Sequence, residues 1–241
     1  MDLQDVAVEK LPDEIADLFD LRYLNLRRTK VKELPKSIGK LQNLQTLDIA
    51  DSNIEVLPKS IRKLQKLRHL IVYRYYPDGD DFYYIYGTPL PSSICKLANL
   101  QVLTGVDAKP CLLKRLKNMT QLTSLAITKV RKVDEDLCSS IQRDNHREGV
   151  MPGLQQMYLG NCMELKMLPR GIENLTSLAK LDLLLLSKEL IDRIRGVDSV
   201  DYPRVRHIPE IDHFYQSTYG QSYESLSRLD FKKVTTITTK Q

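Results

Sequence analysis

The chain has 241 residues, 42% of them apolar and 28% charged, with a net charge of +5. That composition supports a sizeable core behind a water-facing surface. No apolar run approaches the roughly 20 residues that a membrane-spanning helix requires. Cys95, Cys111, Cys138 and Cys162 are too widely spaced for a Cys-x-x-Cys zinc site or a dense disulfide framework. The opening Met1-Asp2-Leu3-Gln4-Asp5 has neither a basic nor an apolar leader character. Together these features predict a cytoplasmic setting that keeps thiols reduced.

Residues 1–10 read as an N-terminal extension. From Leu11 a pattern Leu-Pro-x-x-Ile-x-x-Leu-x-x-Leu begins, and it returns at Leu34-Pro35, Leu57-Pro58, Leu90-Pro91 and Leu168-Pro169. Between its copies stands Leu-x-x-Leu-x-(Leu/Ile/Val), as in Leu21/Leu24/Leu26, Leu44/Leu47/Ile49 and Leu67/Leu70/Val72. Leu21, Leu44 and Leu67 are 23 residues apart. Apolar residues two apart face one side of a short strand. Apolar residues three apart behind a proline suit a 3-10 or helical turn on the opposite flank. A repeat this short cannot bury its own apolar face, so neighbours must stack. Period and pattern are those of leucine-rich repeats. The predicted fold is therefore an α/β solenoid of about seven repeats over residues 11–186, with short parallel strands on the concave face and irregular turns with short helical or 3-10 segments on the convex face. The fourth strand unit, from Leu100, reads as degenerate.

Two insertions interrupt the period. One, near 73–88, holds Tyr73, Tyr75, Tyr76, Phe82, Tyr83, Tyr84 and Tyr86. The other, near 131–151, is polar and charged. Such insertions map to loops, often on a binding face. Beyond Leu186, Ser187 is placed to N-cap a helix with Leu190, Ile191 and Ile194 on one face, ended by Gly196. Residues 187–214 are thus expected to cap the open edge of the last repeat, and the Ser-, Thr- and Gln-rich residues 215–241 to form a polar, disordered tail.

Several segments resemble the C-terminal repeat region of plant intracellular nucleotide-binding leucine-rich-repeat disease-resistance proteins, most closely the coiled-coil class of grasses. They are Leu21-Arg22-Tyr23-Leu24-Asn25-Leu26 ahead of Leu34-Pro35, Leu67-Arg68-His69-Leu70 before a tyrosine-rich insertion, Ile127-Thr128-Lys129 before Leu137-Cys138-Ser139-Ser140-Ile141, Ile194-Arg195-Gly196, and Val205-Arg206-His207-Ile208-Pro209-Glu210-Ile211. The similarity covers residues 11–215. It implies part of a cytosolic immune receptor whose repeats hold the receptor inactive and sense a pathogen effector, directly or through a guarded host protein. The nucleotide switch of such receptors lies in a separate upstream nucleotide-binding domain. No phosphate-binding loop is present in this chain: Gly39-Lys40 lacks the earlier glycine and the following Ser or Thr. The other reading of the pattern is a stand-alone intracellular scaffold or decoy.

The residues do not suggest catalysis. His69, His146, His207 and His213 lack His-Glu-x-x-His spacing, and Gly220-Gln221-Ser222-Tyr223-Glu224 lacks the last glycine of a nucleophile elbow. Cys162 follows Leu159 at the position of a small buried turn residue. No enzyme activity, cofactor, metal or nucleic-acid partner is expected. The candidates are protein-binding positions. Strand alternation turns Tyr23, Arg27, Asp48, His69, Tyr73, Tyr158, Lys180 and Asp182 outward, and the insertion adds Tyr75, Tyr76, Tyr83 and Tyr84. Aromatic and arginine side chains dominate binding energy at protein interfaces. The alternative is that several of these tyrosines pack back onto the array. Residues 22–68 hold twelve Lys/Arg against four Asp/Glu, a local +8 that leaves −3 for the rest of the +5 total. Lys36, Lys40, Lys59, Arg62, Lys63 and Lys66 form a basic flank beside the Leu-Pro turns, which the resemblance implies docks onto the nucleotide-binding domain.

Overall fold

The computed structural model describes residues 1–78, 82–130, 137–138, 141, 151–217, 220–227 and 234–236. Its strands are β1 (Tyr23–Asn25), β2 (Thr46–Asp48), β3 (His69–Ile71), β4 (Arg74–Asp78), β5 (Phe82–Tyr86), β6 (Val102–Asp107), β7 (Ser124–Thr128), β8 (Gln156–Cys162), β9 (Lys180–Leu186), β10 (Glu210–Ser217), β11 (Gly220–Ser225) and β12 (Val234–Thr236). One sheet runs in the order β1-β2-β3-β6-β7-β8-β9-β10-β11-β12, and β4 and β5 form a separate antiparallel hairpin. From β1 to β10 every pairing in the sheet is parallel. β11 and β12 then reverse direction.

Each Leu-Pro does the same local work. Pro12, Pro35, Pro58 and Pro91 sit at φ between −71° and −62° immediately before the 3-10 turns Asp13–Asp17, Lys36–Lys40, Lys59–Lys63 and Ser92–Lys96. The isoleucine amides donate back to the proline carbonyls, Ile38 to Pro35 and Ile61 to Pro58 at 3.0 Å each. Strand exits repeat as well. Asp5, Arg28, Asp51, Lys129, Asn161 and Leu185 all take left-handed φ, between 52° and 62°. Each stands two residues past the second apolar strand position; at Arg28, Asp51 and Lys129 the αL residue bends the chain off the sheet, whereas β8 and β9 run one residue past Asn161 and Leu185. Thr29 and Ser52 close the bend through their hydroxyls, which donate to Leu26 O and Ile49 O at 2.7 Å.

The strand and turn leucines interleave in one continuous core from Leu11 to Leu226. Leu137 and Ile141, in the second insertion, belong to it; most other residues of that insertion lie outside the described ones.

Residues 1–5 run beside β1, with an isolated parallel bridge between Asp2 and Asn25 and Leu3 N donating to Asn25 O at 2.9 Å. The degenerate fourth unit forms a full strand, β6, bulged between Leu103 and Val106 where Gly105 takes φ +76°. A Cβ at Gly105 would collide with Tyr73.

The C-terminal region departs from expectation in two places. Helix α1 (Pro110–Leu113) belongs to the fourth connection. Helix α2 (Lys188–Ile194) forms as the sequence predicts: Ser187 Oγ accepts from Leu190 N, Leu190, Ile191 and Ile194 are buried, and Gly196 follows at φ +87°. The open edge of β9, however, is paired by Glu210 to Phe214 of β10, at the end of the 187–214 segment, and not by this helix. A strand edge presents unpaired N–H and C=O groups, which another strand can satisfy and a helix cannot. Helix α3 (Tyr202–Val205) lies against the 3-10 turn Ile172–Asn174. Nor are residues 215–227 the disordered start of a tail. Tyr215 to Ser217 continue β10, and β11 pairs with it from Ser217↔Gly220 to Asp212↔Ser225. The segment is polar because it forms a two-sided hairpin at the end of the sheet, with Leu226 as its main core contact.

Candidate recognition face

Register decides which side chains meet on the sheet. Parallel pairing sets Tyr23, Thr46, His69 and Val102 in one row, continued by Ser124, Gln156, Lys180 and Glu210. Asn25, Asp48, Ile71 and Thr104 begin a second row that ends in Tyr158, Asp182 and Asp212. Neighbours in a row stand ~4.8 Å apart, close enough for side-chain contact.

In the early half most polar groups are used within the sheet. Thr46 Oγ1 and His69 Nδ1 are hydrogen-bonded at 2.9 Å. Asp48 is 8% exposed, and its Oδ1 accepts from Ala50 N at 2.9 Å, so this candidate mainly closes its own strand and offers little surface. Tyr23 is 41% exposed. The Arg27 guanidinium sits 5.5 Å over the Tyr73 ring, and Tyr73 meets Tyr75 edge-on at 5.0 Å. Asp51 Oδ1 accepts from Tyr75 N at 2.6 Å. Burial, with Tyr73 beside it, pushes the Tyr75 phenol up to about 12. Tyr73 and Tyr75 therefore pack back onto the array. Tyr76, Tyr83 and Tyr84 are placed by backbone in β4 and β5, while their side chains lie outside the described residues.

The hairpin is held at its base. Lys129 Nζ is 5.5 Å over the Tyr86 ring and 3.2 Å from Asp107 Oδ2. Thr128 Oγ1 donates to Asp107 Oδ1 at 3.0 Å, and a Cβ at Gly87 would strike this same cluster. From there β5 packs against β6 and β8.

The late half is different. Lys180 Nζ lies 3.7 Å from Asp182 Oδ1, 3.6 Å from Glu210 Oε2 and 3.5 Å from Asp212 Oδ2. Burial raises the Asp182 pKa even with Lys180 next to it. Burial, aided by Tyr75, Cys162 and Asp182, holds the Tyr158 phenol far above its ordinary value, so it is a neutral hydroxyl. Cys162 is fully buried, its Sγ accepts from Val130 N at 3.3 Å, and burial pushes its thiol up to about 12. A thiol so protonated is a packed core residue, and it stands at the end of β8, paired with Leu186, not in the turn that the sequence spacing suggests.

Glu210 and Asp212 are absent from the sequence-derived candidates because the leucine pattern ends before them. A signal existed: Ile208-x-x-Ile211-x-His213 has the strand-unit spacing, with His213 opposite Leu183.

The basic flank is elsewhere. Lys36, Lys40, Lys59, Arg62, Lys63 and Lys66 are all exposed on or just after the 3-10 turns, away from the strand rows. None has a carboxylate within 4 Å among the described residues. Lys36 also lines an open groove of about 910 Å³ with Lys10, Lys32, Val56 and Pro58. No helix among the described residues is long and apolar enough to cross a membrane.

Comparison with known proteins agrees with this architecture. The Arabidopsis receptor kinase HAESA, solved in complex with the peptide hormone IDA and the co-receptor SERK1, superposes over 76% of this chain and 30% of its own, with a TM-score of 0.54 and 20% identity. That likeness concerns the fold. In sequence, 80 residues (33% of this chain) are 48% identical to the disease resistance protein RPM1 of Arabidopsis thaliana, of which they cover 9%. A further 94-residue match, 39% of this chain, is 30% identical to disease resistance RPP8-like protein 3 of the same plant, again 9% of its length. The chain thus spans about a tenth of the length of the curated relatives it matches. Residues 1–144, more than half of the chain, match the family model described as a leucine-rich repeat region, and the chain belongs to that family, with homologues among plant disease resistance proteins.

Proposed function

We propose that this chain is the sensor and autoinhibitory repeat region of a plant innate-immune receptor of the nucleotide-binding type, of the grass coiled-coil class, acting in the cytoplasm. The concave rows bind a pathogen effector or a guarded host protein. The basic flank docks onto an upstream nucleotide-binding domain, which carries the switch. The observation that supports this reading best is the separation of two surfaces. Exposed cations without acidic partners among the described residues occupy the turn flank, while aromatic, carboxylate and ammonium groups occupy the strand rows. Two surfaces of different chemistry suit one partner that restrains and another that is sensed. The homology to disease resistance proteins supplies the biological setting.

The test is a double substitution series against a supplied nucleotide-binding domain. Charge reversal at Lys59, Arg62, Lys63 and Lys66 is expected to weaken docking strongly at low salt and weakly at high salt, as screening removes the long-range attraction. Tyr23→Ala with His69→Ala is expected to leave docking intact and abolish capture of the sensed protein. Docking that is indifferent to both charge reversal and salt would refute the autoinhibitory part of this reading.

A further inference from the structure

The late strands leave polar atoms without partners on the concave face. Tyr158 Oη, Thr104 Oγ1 and Asp182 Oδ1 are each shut off from solvent, and none has a hydrogen-bond partner among the described residues, Asp182 having only its ion pair with Lys180. All three belong to residues lining one depression of about 180 Å³, whose wall also includes Tyr73, Gly105, Ser124, Ala126, Gln156 and Met157. A buried polar group left unpaired destabilises a fold, so native structures rarely keep one. Three such atoms on residues around one hollow point to a group that fills it and that these side chains turn to meet.

The acceptors identify that group. A carboxylate only accepts hydrogen bonds, and phenol and threonine hydroxyls accept as readily as they donate. Charge agrees. Asp182, Glu210 and Asp212 share the single ammonium of Lys180, so the cluster carries two uncompensated negative charges. Lys180 meets Asp182 only as an ion pair: at 3.7 Å its Nζ is beyond hydrogen-bonding distance. Size agrees too. Small-molecule pockets run from roughly 300 to 1,000 Å³, and a hollow of about 180 Å³ admits one long side chain. A guanidinium presents five donors in a rigid planar fork and is weakly hydrated, whereas an ammonium is a compact, strongly hydrated point charge. Several acceptors spread around one hollow suit the fork.

We propose that this depression takes an arginine side chain of the protein bound on the concave face, with Asp182, Tyr158 and Thr104 as its acceptors. The inference rests on the reading of that face as the recognition face and specifies the chemistry of what is recognised there.

The experiment titrates the isotope-labelled full chain with N-acetyl-arginine amide and follows backbone amide shifts. N-acetyl-lysine amide and the uncharged N-acetyl-citrulline amide serve as comparators. Saturable shifts at Ala126, Tyr158 and Asp182 are expected with the arginine probe, about tenfold weaker binding with the lysine probe, and no saturation with citrulline. Asp182→Asn preserves shape and is expected to weaken the arginine probe about tenfold. Tyr158→Phe should weaken it about threefold while leaving the melting temperature unchanged or higher, because it removes a hydroxyl that has no partner in the free protein. Equal responses to arginine and citrulline, wild-type affinity in Asp182→Asn, or a crystal structure with ordered water on all three atoms that the probe does not displace would each overturn the proposal. Tyr23→Ala with His69→Ala separates the two readings. If that variant loses the sensed protein but still binds the arginine probe, both stand. If it loses the protein while the wild type ignores the probe, only the arginine site falls. If it keeps the protein while the probe binds, the recognition face as drawn falls and the pocket remains.

Discussion

Strands β1 to β3 are three residues long and paired at a constant offset of 23 residues, whereas β8 to β10 are seven or eight residues long and paired at offsets of 24 and 30. The difference lies in how polar groups are used. Short strands at a strict period spend their side chains on the next repeat or on their own exit: Thr46 bonds His69, Asn25 accepts from Arg27 N, and Asp48 accepts from Ala50 N. The long strands reach past their turn connections, and there Tyr158 Oη has no hydrogen-bond partner among the described residues while Asp182, Glu210 and Asp212 crowd one lysine. Regular repetition settles most polar groups locally, although Arg27 Nε and Ser60 Oγ find no hydrogen-bond partner among the described residues. Broken repetition gathers such atoms on residues around one hollow, and the candidate site is found there.

The comparison can be broken at several points. The largest effect is expected from the core of the regular half. Leu41 is fully buried, while Leu18, its equivalent one repeat earlier, is 45% exposed in the outermost layer. Leu41→Ala should cost ~2–5 kcal/mol of unfolding free energy and Leu18→Ala under about 1 kcal/mol. Similar losses in urea denaturation would show that the outer layer is covered by something in solution. Next comes the junction between the halves. Gly105→Ala places a side chain at φ +76° and against Tyr73, a combination expected to cost ~1–3 kcal/mol and to disturb the aromatic environment of the hairpin. Near-ultraviolet circular dichroism would report the second effect even if the first were small.

In the irregular half, Arg204 donates to Pro169 O at 2.7 Å and Leu168 O at 3.3 Å and pairs with Glu173 at 3.0 Å, tying α3 to the last Leu-Pro turn. Arg204→Ala is expected to lower stability by ~1–2 kcal/mol, with Arg204→Lys recovering only part because a lysine cannot fork to two carbonyls. Full recovery by lysine would mean that charge alone matters there.

The smallest effect is a pH dependence. His213 is 8% exposed, stacks on Tyr215 at 5.1 Å and bonds Glu224 Oε1 at 2.9 Å, the carboxylate that also takes Arg195 Nη2. Burial lowers its pKa from the ordinary 6.5, outweighing Glu224. Because the folded value lies below the unfolded one, the unfolded chain binds more protons as pH falls through 6.5. Stability contributed by neutral His213 is therefore present above pH 6.5 and lost as pH falls toward the folded value. Thermal melts between pH 7.5 and 5 should decline more steeply for the wild type than for His213→Gln; parallel curves would remove this residue from the terminal hairpin's energetics.

The regular half was legible residue by residue, because a period of 23 with leucines at fixed offsets admits one arrangement of strand, bend and turn. The helix after Ser187 was legible for a similar local reason, a capping hydroxyl ahead of Leu190, Ile191 and Ile194. The strand beyond it was obscured: Ile208-x-x-Ile211-x-His213 carries a histidine where the pattern asks for an aliphatic residue, and its partner Glu224 comes from another strand. The site was half legible. Tyr158, Lys180 and Asp182 follow from alternation, but Thr104, Glu210 and Asp212 do not, since a bulge and an off-period strand bring them there.

By itself, then, the sequence determined the repeat, the core face, the turns and the charged flank, all of which depend on spacings within one repeat. Only the tertiary structure decided which outward side chains share a hollow, which tyrosines fold back, and which polar atoms find no partner. Those outcomes depend on register between strands and on where the insertions return to the sheet, and both are set by packing between residues far apart in the chain.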